Sequence, residues 1–151
     1  MLRLTNESAH ECENRKGAEL MKYILMMNTM KANANAFSGW SKEDIKAHIG
    51  FMIGFSKELG AAAELVSAEG LAFPSEAKVV RADKNGQPIT DGVFQESKEF
   101  LAGYWIVEVD TPERAYAIAA KASAAPGIAG KPLNMPIEVR QVMSGPPPDM
   151  L

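Results

Sequence analysis

Residues 100–124 read FLAGYWIVEVDTPERAYAIAAKASA, and the pattern of this stretch decides the fold. Up to Val109 it is a strand. Trp105, Val107 and Val109 alternate with Tyr104, Ile106 and Glu108, so the two sets fall on opposite faces of a sheet. Thr111-Pro112-Glu113 then supplies an N-cap, a proline at the first helical position and an acidic first turn. Ala115, Ile118, Ala119 and Ala122 form a narrow apolar stripe at helical spacing, which predicts a helix over Pro112–Ala124. Its small side chains let it lie close against a sheet.

Downstream, Pro126–Pro136 holds three prolines and two glycines and reads as a loop. Ile137–Met143 is a closing strand, and Gly145–Leu151, with Pro146-Pro147-Pro148, is an extended tail. Upstream, Lys22–Asn28 is a compact apolar run that reads as a buried strand. Thr29–Gly39 is a polar loop. Ser41 and Asp44 form a capping-box-like pair that opens a helix over Lys42–Leu59. Ile45, Ile49, Met52, Ile53 and Leu59 supply its apolar positions, and Gly60 its stop. Glu64–Ala68 reads as a short strand. Ala77–Ala82 and Gln87–Thr90 flank Asp83-Lys84-Asn85-Gly86, whose Asn-Gly pair signals a hairpin. The order β-α-β-β-(β)-β-α-β is α+β: a ferredoxin-like split βαβ sandwich with an inserted β-hairpin. With both helices on one face, the other sheet face needs cover. A second subunit is the usual cover, so a homodimer with facing sheets is expected.

At 151 residues the chain is long enough for one domain with its own core. Hydrophobic residues make up 46% and charged residues 23%, an ordinary globular composition that excludes a disordered chain or a collagen-like repeat. The net charge of −3 argues against a nucleic-acid partner. Cys12 is the only cysteine and His10 and His48 the only histidines, so an internal disulfide and a Cys/His zinc cluster are excluded on count. No run approaches about 18 consecutive apolar residues, so no membrane span is expected. Residues 1–20 are polar and read as a poorly ordered extension. They lack the apolar core of a secretory signal, Met21 is a candidate natural start, and a cytoplasmic location is expected. Glycine-rich phosphate loops are absent, and neither a cofactor nor a metal is expected.

Residues 79–109 read VVRADKNGQPITDGVFQESKEFLAGYWIVEV. This stretch resembles the DGPF group of the YCII-related family, whose signature is close to D-G-P-F-A-E-T-K-E. Asp91, Gly92, Phe94, Glu96, Lys98 and Glu99 match it, while Val93, Gln95 and Ser97 replace its proline, alanine and threonine. Ala102-Gly103-Tyr104-Trp105 corresponds to the family's Gly-Gly-Tyr/Phe entry to a strand. The Met21 start and the Pro136–Met143 ending are also similar, so the resemblance spans residues 21–143, leaving 144–151 as a proline-rich tail. It implies a ferredoxin-like fold and a dimer of the α/β barrel type. It further implies a link to a regulated stress or sigma-factor response, because members are often encoded beside extracytoplasmic-function sigma factors. A characterised relative is a dehydrochlorinase that uses a His–Asp pair. His48 corresponds loosely to its histidine, but the aspartate position falls near Ala125, before Pro126.

Three residues are candidates for catalysis: His48, Asp91 and Glu96. Imidazole is the side chain that exchanges protons near neutral pH. Asp91 and Glu96 bracket a turn, where an apolar pocket would turn a carboxylate into a general base. The competing assignments are structural: Asp91 bonding its own turn, Glu96 pairing with Lys98 or Arg81, and His48 as a boundary residue with one satisfied nitrogen. Glu64 and Glu69 read as exposed loop acids, and Glu108 is expected to pair with Arg140. Two functions follow. One is a small-molecule-binding or accessory module. The other is a small cofactor-independent enzyme performing lyase or isomerase type proton transfer.

Overall fold

The computed structural model describes residues 19–29, 37–92, 99–146 and 148–150. Glu96, Cys12 and His10 lie outside these residues. The elements are β1 (Met21–Thr29), α1 (Lys42–Ala61), β2 (Leu65–Gly70), β3 (Val79–Ala82), β4 (Pro88–Asp91), β5 (Phe100–Val109), α2 (Pro112–Ser123) and β6 (Ile137–Gln141). Single 3-10 turns occur at Pro74–Glu76, Ile128–Gly130 and Pro148–Met150, so part of the C-terminal tail is turned where an extended run was expected.

Among the described residues, β2-β5-β1-β6 form one antiparallel sheet and β3-β4 pair separately. The molecule is therefore α+β, with two helices and antiparallel sheets, consistent with a ferredoxin-like fold. The long central strands explain the order. β1 and β5 run side by side, with Tyr23 opposite Val107 and Leu25 opposite Trp105. These four side chains face the helices and are buried with Val109, Phe55, Leu59, Ala115, Ile118, Ala119 and Ala122. Fully burying one such large apolar side chain contributes about 1.5–3 kcal/mol. The alanines of α2 let the helix approach the sheet closely. Phe55 of α1 sets its ring edge-on to Trp105 at 5.7 Å, and Phe51 stacks on Phe55 at 5.9 Å.

The opposite sheet face carries Ile24 opposite Ile106 and Met26 opposite Tyr104, all half-buried. Charged residues flank this strip. Lys22 is the cross-strand neighbour of Glu108, and Arg140 stands beside Ile24 on the far side of β1. β1 thus separates Arg140 from Glu108, and Lys22, not Arg140, faces the Glu108 carboxylate across the ladder.

Both helices start at the caps the sequence encodes. Asp44 N–H donates to Ser41 Oγ and Ser41 N–H to Asp44 Oδ2, each at 3.1 Å. Arg114 N–H donates to Thr111 Oγ1 at 3.2 Å. The end of α1 differs from expectation, because the helix continues through Gly60. Glu64 N–H reaches Leu59 O and Ala63 N–H reaches Gly60 O, with Ala63 in the left-handed region at φ 56°. That is a Schellman closure with alanine where glycine usually stands. The buried face of α1 is also rotated from the expected one. His48, Phe55 and Leu59 are buried, while Ile49 and Ile53 are exposed. Positions 48, 52, 55 and 59 make as good a helical stripe as the one through the isoleucines, but a histidine in the row hides it from a hydropathy reading.

Candidate functional site

The sequence from Asp44 to Lys57 puts one face of α1 above the β2-β5-β1 end of the sheet. Between them lies an open cavity of about 490 Å³. From α1 come His48, Met52, Ile53, Ser56 and Lys57, and from the sheet Met27, Ala68 and Trp105 among others. Glu69, Gly70, Gly103 and Tyr104 also contribute wall. Glu69 and Tyr104 are cross-strand partners one residue out of step with Ala68 and Trp105, so alternation turns their side chains to the other sheet face. The inner wall is therefore apolar, with His48 towards one end of the helix face and Ser56 and Lys57 towards the other. Nine residues separate His48 from Lys57, about 13 Å of helix rise.

Gly103 forms part of this wall for a steric reason. A Cβ there would lie 2.9 Å from the backbone oxygen of Glu69, so any side chain would force β2 away from β5. The Ala-Gly-Tyr-Trp stretch carries this signal in the sequence.

His48 is the best-determined polar group of the cavity. It is 9% exposed. Its Nδ1 lies 3.0 Å from Pro126 O. A carbonyl only accepts, so Nδ1 carries the proton and Nε2 is the basic nitrogen. Two rings fix the plane of the imidazole. Trp40 sits edge-on at 5.4 Å and Phe37 at 5.7 Å between centroids, and the two pack against each other at 5.2 Å. The backbone carbonyl of Pro126 thus fills the orienting role that an aspartate plays in a His–Asp pair. Ala125, just before Pro126, is fully buried.

The turn that presents Pro126 O is itself anchored. Ala129 N–H donates to Asp44 Oδ1 at 3.0 Å. Within the loop, Gly127 N–H reaches Lys131 O and Leu133 N–H reaches Ala125 O, at 2.7 and 2.9 Å. Asp44 carries a carboxyl held below the usual aspartate range. The backbone N–H of Ser41 is the main cause, with help from the Ser41 side chain and the Ala129 N–H.

Asp91 stands elsewhere. It closes β4 opposite Val79, is exposed, and is not part of the cavity wall. Glu96 lies outside the described residues; of the two described candidates, the structure brings His48 to the cavity and leaves Asp91 away from it. Met27, Met52, Ser56 and Lys57 are site residues that the sequence reading does not single out. The i, i+4, i+8 spacing of His48, Met52 and Ser56 is the signal that points to Met52 and Ser56.

Glu64 corrects another expectation. It is 1% exposed, not a loop acid on the surface. Arg114 Nε and Nη2 donate to its two carboxylate oxygens at 2.8 and 2.7 Å. The hydrogen bond to Glu64 raises the Arg114 guanidinium above its already high value. This pair joins the start of β2 to the first turn of α2, away from the cavity wall, and its work is structural. The Lys121–Glu58 pair, at 2.6 Å, joins the two helices on the exposed side and contributes little.

Among the described residues no group of three or more histidines, cysteines or carboxylates is placed to hold a metal ion. Nor is any helix among them long and apolar enough to cross a membrane. No curated protein matches the sequence. The family model of the YCII-related domain matches residues 21–129, from β1 through the turn carrying Pro126. β6, which closes the sheet beside β1, follows the matched stretch. A match that takes in most of the chain, α1, the cavity wall and His48 included, makes this protein a member of the YCII-related domain family.

Proposed function

We propose that the cavity binds a small, largely apolar organic molecule and that His48 Nε2 takes a proton from it, in a cofactor-independent reaction of the lyase or isomerase type. The observation that carries this is the Nδ1–Pro126 carbonyl bond at 3.0 Å. It fixes the tautomer in which the other nitrogen is a base, the arrangement a general base needs before substrate arrives. The walls of Met27, Met52, Ile53 and Trp105 exclude water from an apolar ligand. Lys57 and Ser56, at the far end, suit an anionic or hydrogen-bonding substituent on that ligand.

The second function, a ligand-binding accessory module in a regulated response, is favoured by a different observation. The imidazole is oriented by a backbone carbonyl in place of a carboxylate, and the aspartate position of the relative that the sequence resembles falls near Ala125. The two differ in turnover. The test is a screen of small phenols, ketones and carboxylic acids by ligand-observed NMR in D2O. It reads both binding and exchange of ligand C–H for deuterium. Proton abstraction by His48 predicts exchange that falls about 10²–10⁴-fold in His48→Gln while binding persists. Binding with no exchange in the wild type assigns the accessory role instead. Exchange that survives His48→Gln removes His48 from the chemistry.

The half-buried strip of Ile24, Met26, Tyr104 and Ile106 supports a further element of this proposal, a homodimer in which two sheets face each other. Lys22, Glu108, Glu138 and Arg140 bring both signs of charge to its edges, which suits a surface that meets its own copy about a two-fold axis.

A further inference from the structure

We infer that Asp44 is a positioning residue for His48: it sets which imidazole nitrogen is basic by holding the 126–130 turn against α1. The inference rests on the proposed role of His48 as proton acceptor, and it is tested without any substrate. Asp44 and His48 lie one helical turn apart on α1, so both address the same neighbouring segment. Asp44 Oδ1 accepts from Ala129 N–H at 3.0 Å, and His48 Nδ1 donates to Pro126 O at 3.0 Å. The two bonds have opposite polarity and hold the turn at its first residue, Pro126, and at Ala129, three residues on.

That turn needs a pin. Ala129 sits at φ 55°, a left-handed conformation that is unfavourable for a residue with a Cβ. Gly130 follows at φ 72°. Without the bond from Asp44 the alanine can relax to negative φ, and the path of the chain back to Pro126 changes. The carbonyl then leaves Nδ1. The proton moves to Nε2, the tautomer that free imidazole side chains favour in water, and the nitrogen presented to a ligand becomes a donor where it was an acceptor. The lowered proton affinity of the Asp44 carboxylate agrees with a group that already accepts hydrogen bonds from Ser41 and from this turn.

The sequence signature of the capping box explains Asp44 by itself, so the test has to separate capping from positioning. Ser41→Ala removes the hydroxyl that Asp44 N–H uses and leaves the Asp44–Ala129 bond in place. Asp44→Ala removes the carboxylate from both the cap and the turn. The readout is the long-range 1H–15N correlation spectrum of the imidazole above neutral pH, which distinguishes Nδ1–H from Nε2–H. A His10→Gln background leaves His48 as the only histidine. Wild type and Ser41→Ala should show the Nδ1–H pattern. Asp44→Ala should lose it, with the Nε2–H form becoming the major species. If Asp44→Ala is unfolded, a backbone ester at position 129 (lactate in place of alanine) replaces it, removing the N–H donor while leaving φ free and the cap of α1 whole; the same loss is expected. An Nδ1–H pattern retained in the folded variant overturns the inference, as does its loss in Ser41→Ala to the same extent as in Asp44→Ala. Failure of the proton-transfer role appears elsewhere, as ligand exchange unaffected by His48→Gln, and leaves the tautomer result standing.

Discussion

Replacing Arg114 with methionine takes two charge-assisted hydrogen bonds from a buried carboxylate. The Glu64 side chain is 1% exposed and takes two hydrogen bonds from the guanidinium at 2.7 and 2.8 Å. Removing one partner of a buried pair costs about 3–5 kcal/mol, because the remaining ion keeps its desolvation penalty and loses its compensation. Arg114 itself is 48% exposed, so its removal opens a path for water to the carboxylate. Partial rehydration lowers the expected loss to about 2–3 kcal/mol. For a chain of this length that is a drop of about 4–12 °C in Tm. In urea, with a slope of about 1–3 kcal/mol per molar, it is a midpoint shift on the order of 1–2 M. Unfolding followed by far-UV circular dichroism at pH 7 measures it. The Glu64→Gln, Arg114→Met double variant should recover part of the loss, since no charge then remains buried at position 64. A single variant within about 0.5 kcal/mol of wild type would show a carboxylate that is hydrated in solution and would refute the argument.

Three further outcomes are expected. Gly103→Ala places a Cβ 2.9 Å from Glu69 O and should destabilise the fold by about 1–3 kcal/mol, loosening β2 first, as amide exchange on Leu65–Gly70 would show. Ile106→Arg puts a charge at the centre of the open sheet face and should convert a dimer to a monomer in light scattering with secondary structure kept. A monomeric wild type would rule out the proposed assembly. Asp44 has a folded-state affinity for protons lowered below the ordinary aspartate value of 3.8. Its contribution to stability is therefore complete above about pH 4 and lost as pH falls through the lower folded value. Wild type should lose stability faster than Asp44→Asn on acidification through that window, and parallel curves would contradict the assignment.

How much of the molecule is legible in the sequence differs from element to element, and for physical reasons. β5 and the start of α2 are plain because alternation, an N-cap threonine and a first-turn proline all agree over a dozen residues. The capping box of α1 is equally clear, since it is local. The burial of Glu64 is not, because its partner Arg114 is 50 residues away and only the packed fold makes the pair. The neighbour of Glu108 is hidden for the same reason: that β1 lies between β5 and β6 is a property of the topology. At the site, His48 stands out as a residue type. What makes it a base with a defined tautomer is a backbone carbonyl, which has no letter in the sequence. Asp91 and Glu96 lie in the stretch that resembles a family motif, and motif residues that shape a turn read the same as motif residues that touch a ligand. The hairpin loop shows how local detail escapes. Asp83 Oδ1 accepts from Asn85 and Gln87 N–H, and within the loop Gly86, at φ 80°, takes the left-handed position while Asn85 does not.

The protein has two tryptophans, and they occupy different worlds. Trp105 lies in the core against Phe55, while Trp40 leans on the imidazole of His48. Trp105 shares the cavity wall with His48 but makes its ring contact with Phe55, whereas Trp40 packs directly on the imidazole. Trp40 is therefore the indole most directly coupled to the site, and Trp105 the one coupled to the core. With Trp105→Phe, Trp40 alone becomes an intrinsic optical electrode for His48, needing neither label nor substrate.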